Sequence, residues 1–249
     1  MNTLRGELEA SFRRFHDAWI AEMTAAITDE ARDLHTYSDS YKDLASLHAW
    51  SCYMFEGRMA ESAHAFHVEA KNDALTSHVL AVMGVWRASL QTLRACIENA
   101  LCAQFFKDHP VENELRDAGQ YRKGFSDLLA YFRSHPGLAG LDERVSGLDL
   151  LGGEYAKLSM AVHGSSDSYR MTTETGAVQM FVQDDIRMRQ WRSRERNVLI
   201  GLNCLLTCLY RSQLSGSQKP ALRESIGAVL PAGKRDAIKD QLGVFLPGI

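Results

Sequence analysis

Apolar residues recur at three- and four-residue steps along most of the chain, and almost nothing alternates with the two-residue period of a strand. Only five prolines occur, at Pro110, Pro136, Pro220, Pro231 and Pro247, and none falls inside a strong helical pattern. They act as punctuation between helices. These two features predict an all-α chain: an antiparallel multi-helix bundle with long central helices.

The helical periods set the expected order. A first helix spans about Thr3 to Leu34, with Leu4, Leu8, Phe12, Phe15, Trp19 and Met23 as its apolar stripe. The HTYSDSY segment is expected to break it, with Asp39 or Ser40 capping a second helix from Tyr41 to Lys71. A third, from Asn72 to Lys107, is apolar on most faces and should be central. A shorter stretch follows over Glu112–His135, then a helix over Glu154–His163 with Gly164 as C-cap. Ser165–Phe181 reads as a loop. Asp184 and Asp185 open a long helix to Gln213, their charge suiting the positive end of its dipole. Two short helices, Pro220–Val229 and Pro231–Leu242, finish the chain. The expected organisation is a bundle over 1–217, with 218–249 packed upon it.

A length of 249 residues with 45% hydrophobic content allows a sizeable core without covalent staples. The net charge of -3 supplies no global field favouring nucleic acid, so such binding needs a local basic patch. The five cysteines are odd in number, form no CxxC pair and suit a reducing compartment. No signal peptide is legible. The run VLIGLNCLLTCLY (198–210) is shorter than the roughly 20 residues of a membrane span. A cytoplasmic protein without membrane contact is therefore expected.

Three segments carry candidate chemistry. In YAKLSMAVHG, helical steps of four place Tyr155, Ser159 and His163 on one face beside the apolar Leu158 and Val162. Such a row either lines a cleft or holds a structural histidine. In RACIEN, Arg94 and Glu98 are one turn apart in a very apolar helix. They are either a structural ion pair or a polar pair that meets His163 across the bundle. The third segment holds Arg187, Arg189, Arg192, Arg194 and Arg196, of which Arg189, Arg192 and Arg196 share a face that could grip phosphates. Trp191 would add stacking; the competing reading is a solvated face with acidic neighbours. His64 and His67 are a two-ligand pair, too few for a metal site, and no HExxH, P-loop, dinucleotide fingerprint or nucleophile elbow occurs. No metal and no cofactor are expected.

On RACIENAL, YAKLSMAVHG and the long helix that follows, residues 75–214 resemble the helical bacterial HEPN-type proteins of toxin–antitoxin and phage-defence systems. Active members of that class are metal-independent ribonucleases built on an arginine, a polar residue and a histidine of one helix, paired across a dimer. Here Lys157 stands in the arginine's place, five residues intervene before His163, and Leu158 follows it. The resemblance implies a homodimeric endoribonuclease acting on single-stranded or transfer RNA. His163 would be the acid/base, Lys157 would stabilise the phosphate, and Tyr155 and Ser159 would orient the histidine. Arg94, Glu98, Arg189, Arg192 and Arg196 would position the strand. The alternative is a non-catalytic helical protein that binds a protein partner or senses a ligand.

Overall fold

The computed structural model describes residues 4–28, 33–163, 169–171, 180–216 and 219–248. Among them every regular element is helical. The α-helices in chain order are α1 (Leu4–Thr28), α2 (Leu34–Trp50), α3 (Glu61–Val82), α4 (Trp86–Asp108), α5 (Pro110–Asp117) and α6 (Phe125–Ser134). They continue with α7 (Glu143–Ser146), α8 (Leu148–His163), α9 (Asp185–Leu209), α10 (Arg211–Leu214), α11 (Pro220–Val229) and α12 (Ala232–Leu242). No helix among the described residues is long and apolar enough to cross a membrane.

The centre is built by α4 and α9, as their apolar content predicts. Leu93, Ile97 and Leu101 of α4 and nearly every residue of α9 from Val198 to Cys208 are buried. Asn203 interrupts that apolar run yet satisfies its amide. It accepts from Trp50 Nε1 (2.9 Å) and donates to Ser46 Oγ (2.9 Å) and the Leu199 carbonyl (2.8 Å). One residue thereby ties α2 to the middle of α9.

Several boundaries differ from expectation. The HTYSDSY segment does not break a helix; it forms the first turns of α2. Asp33 is the cap, accepting the amides of His35 (3.1 Å) and Thr36 (3.2 Å), which neither Asp39 nor Ser40 does. The expected second helix divides after Trp50, where a π-turn over Ser51–Phe55 and a positive φ at Gly57 end α2. The expected third helix divides at Met83–Val85. Gly84 has φ +73°, and a Cβ there would lie 2.5 Å from the Val182 carbonyl, so only glycine fits. This turn folds α3 back on α4 as a hairpin. It also receives the strand of chain before α9: Trp86 Nε1 donates to Val182 O (2.8 Å) and Gln183 Nε2 to Val82 O (2.9 Å).

The Glu112–His135 stretch divides into α5 and α6 across Ala118–Gly124. The helix expected from Glu154 begins earlier, at Leu148, after Gly147 turns with φ +74° against the Gly201 carbonyl. The Asp184 cap is as expected, accepting from Ile186 N (2.8 Å) and Arg187 N (3.0 Å). The expected C-cap Gly164 and most of the expected loop lie outside the described residues. Near the C-terminus, α11 packs on α2 and α9, and Arg235 binds the carbonyls of Gly227 and Leu230 (3.0 Å each).

Candidate functional site

Helices α4 and α8 run antiparallel, and a polar seam follows their contact. At one end Arg94 and Glu98 meet Tyr155. The phenol donates to Glu98 Oε1 (2.6 Å), and Arg94 Nη2 donates to that same oxygen (3.0 Å) and to the phenol oxygen (2.5 Å). Phe125 stacks on the Tyr155 ring with centroids 3.5 Å apart. Burial and the bond to Glu98 push the Tyr155 phenol above its ordinary pKa. Arg94 Nε is buried without a hydrogen-bond partner.

At the other end Arg87 closes the terminus of α8. Its Nε donates to the Ala161 carbonyl (2.9 Å) and its Nη2 to that of Val162 (2.7 Å). These are orphan carbonyls at a helix C-terminus, where a cation is favoured. His163, the next residue, is exposed. It follows Tyr155 by two turns, about 12 Å along the helix. Arg94 and Glu98 therefore converge on Tyr155, and Arg87 is the arginine at the histidine's end of the seam.

The other residues of the expected catalytic row turn elsewhere. Lys157 Nζ pairs with Glu154 Oε1 (3.0 Å), a carboxylate that is 1% exposed. Arg194 (3.1 Å) and Asn197 (3.1 Å) also donate to Glu154, so Lys157 belongs to a clamp joining α8 to α9. The Ser159 hydroxyl donates to the Tyr155 carbonyl (2.8 Å), which occupies its only proton. Neither side chain orients His163.

The arginine helix is divided in the same way. Arg192 points inward, pairing with Asp43 Oδ2 (2.5 Å) and Glu195 Oε2 (3.0 Å), whereas Arg189 and Arg196 are exposed. The expected three-arginine face therefore loses its middle member. Trp191 is no surface stacking platform: it is 1% exposed, with Nε1 donating to Ser77 Oγ (3.0 Å).

Two constellations have no local signature in the sequence. A pocket at the meeting of α4, α9 and the 169–171 segment is lined by Trp86, Arg87, Tyr169, Arg170, Arg187 and Trp191. Arg187 also pairs with Asp184 (3.6 Å), and Arg170 and Arg187 have further interactions within the chain. Arg87 donates to two carbonyls at the negative end of the α8 dipole, and among the described residues it has no carboxylate partner. Arg187 stands out in the sequence as part of the arginine run; Arg170 does not, because it lies in a segment without period.

The second is a relay in which Ser40 and Glu195 are buried and His78 is half-buried. Ser40 Oγ lies 2.7 Å from His78 Nδ1 and donates to Glu195 Oε1 (2.7 Å). Arg192 already neutralises Asp43, so Glu195 sits fully buried beside a shared cation. Desolvation raises its carboxyl to about 7. Burial likewise lowers the pKa of His78. Residues 38 and 155 positions away from Ser40 complete this relay, which is why no motif reveals it.

His64 and His67 do not face a common point. His64 Nε2 meets Ser51 Oγ (3.1 Å), and His67 Nε2 meets the Leu47 carbonyl (3.0 Å) in the core, where burial lowers its pKa to about 4. Among the described residues no group of three or more His, Cys, Asp or Glu side chains could hold a metal ion. Compared with protein-family models, curated proteins and solved structures, the chain matches none.

Proposed function

We propose that this protein is a helical binding protein, not a hydrolase, and that it takes a phosphate-bearing aromatic ligand: a nucleotide or the end of a single-stranded RNA. The observation that carries this reading is the gathering of Arg87, Arg170 and Arg187 beside Tyr169 around a small surface pocket of about 20 Å³, so that a ligand lies across its mouth and is not enclosed. Guanidinium groups recognise phosphate through paired hydrogen bonds, and Tyr169 is the partly exposed ring of this lining on which a base can stack, Trp86 and Trp191 being buried. Arg87 is fixed in this cluster by its bonds to the Ala161 and Val162 carbonyls at the end of α8. Catalysis needs acid and base groups converging on one reacting atom. Here Lys157, Ser159 and Tyr155 are each engaged with a different internal partner.

A second reading is the metal-independent endoribonuclease of a HEPN-type homodimer, with His163 as acid/base. The exposure of His163, next to carbonyls held by Arg87, favours it. Incubation of the protein with mixed single-stranded and transfer RNA, without added metal, separates the two. Binding without cleavage, weakened about tenfold (~1.4 kcal/mol) by Arg187→Gln, is expected. Cleavage by wild type that disappears in a folded His163→Ala variant would establish the nuclease instead.

A further inference from the structure

We infer that α1 is a self-association element: its uncovered apolar stripe pairs antiparallel with α1 of a second copy of this chain. The stripe is Leu4, Leu8, Phe12, Phe15, Trp19, Met23 and Ala26. Its steps repeat every eleven residues, from 4, 8 and 12 to 15, 19 and 23. That period is close to the helix's own, so the stripe stays on one face of a nearly straight helix. Exposure falls along it. Leu4, Leu8, Phe12 and Phe15 are 71%, 61%, 63% and 61% exposed, whereas Ala26 is buried. The ring of Trp19 meets Phe181 with centroids 6.0 Å apart. The far end of the stripe thus docks on the 180–183 segment, and the near half has the same chemistry with nothing upon it.

The stripe's charge pattern favours a second copy as the occupant. The four exposed side chains offer on the order of 400 Å², about half of the ~800 Å² per partner in a standard interface. The stems of flanking Arg5, Glu7, Arg13 and Arg14 supply further contact. Glu7 and Arg14 are seven residues apart on one flank of the stripe. A two-fold pairing centred between Ala10 and Ser11 places each Glu7 opposite the other copy's Arg14. The same pairing brings Leu8 within a residue of the other copy's Phe12. Antiparallel packing also opposes the two helix dipoles. The two Ala26 positions then lie about 45 Å apart along the pair, so the helical bodies sit at opposite ends without collision.

The test is the molar mass of the full chain over a range of concentrations by sedimentation equilibrium. Reducing agent is present throughout because Cys52 is exposed. Wild type is expected to be dimeric. Leu8→Asp and Phe12→Asp should each weaken association at least tenfold without changing the thermal unfolding of the body. Glu7→Arg and Arg14→Glu should each weaken it several-fold, and the double exchange should restore it, which non-specific clustering would not do. A wild type that stays monomeric would overturn the inference. So would a dimer indifferent to Leu8 and Phe12, or a monomer that binds anionic lipid vesicles through the same residues.

Discussion

Helices α1 and α9 are both 25 residues long, and both carry apolar residues at helical spacing. One is the most exposed element of the protein and the other its core. In α1 only Ala26 is buried, whereas α9 buries Val198 through Cys208 almost without interruption. The difference lies in the rest of each helix's surface. Outside its stripe α1 is ringed by Arg5, Glu7, Glu9, Arg13, Arg14 and Asp17, so one face at most can be covered. The second half of α9 has no charged residue, and its polar groups Asn203 and Thr207 are both buried. Stripe width, more than stripe existence, decides whether a helix is enclosed.

Substitutions should separate the two helices sharply. The largest effect is expected at Trp191, where truncation to alanine empties a fully buried site and frees Ser77. A loss of about 3–5 kcal/mol in a denaturant titration is the expected result. Asn203→Ala should cost about 2–3 kcal/mol, because Trp50 Nε1 and Ser46 Oγ lose a buried partner. At the other extreme, Phe12→Ala in protein dilute enough to be monomeric should stay within about 0.5 kcal/mol of wild type. A cost as large as that at Asn203 would show that α1 is held to its own body.

Between these extremes, pH sharpens the comparison inside α9. Glu195 has its pKa raised from 4.5 to about 7, so folding takes up a proton there. Its contribution is full below pH 4.5 and is lost as pH rises through about 7. His67 runs the other way, lowered from 6.5 to about 4, so its contribution is full above pH 6.5 and is lost as pH falls through about 4. In wild type the two slopes oppose each other between pH 4.5 and 6.5. Glu195→Gln removes one of them. Relative to that variant, wild type should lose about 3 kcal/mol of stability between pH 4.5 and pH 8, read from paired denaturation curves. Parallel pH profiles would mean that Arg192 keeps Glu195 ionised.

A small stability effect is also expected at Lys157. Its amine is half exposed, and Glu154 keeps Arg194 and Asn197 without it, so Lys157→Ala should cost less than about 1 kcal/mol.

Local pattern made the fold class, the α8–α9 order and both C-terminal helices legible. Pro220 and Pro231 stand at or beside the N-terminus of α11 and α12, and the Asp184 cap is visible as an acid before an apolar run. The breaks at Gly57 and Gly84 were not legible, because a single glycine inside a helical period is ordinarily tolerated. Gly84 is required by Val182, nearly a hundred residues on. The same limit applies to the site. Arg94 with Glu98 could be read from one turn of helix, but their convergence on Tyr155 depends on how α8 lies against α4. Ser40, His78 and Glu195 each look unremarkable until three helices assemble. Glu154 had one available signal, an acid three residues before Lys157 on an otherwise apolar helix.

The account stands on the arginine–tryptophan pocket as a ligand site, and two of the four tryptophans line it. Titration of tryptophan fluorescence with a nucleoside monophosphate, the matching nucleoside and inorganic phosphate tests it directly. A saturable change with the monophosphate, much weaker with either half alone and shifted about tenfold by Arg187→Gln, is the predicted result. No saturable change with any of the three, by protein that unfolds cooperatively, would contradict it.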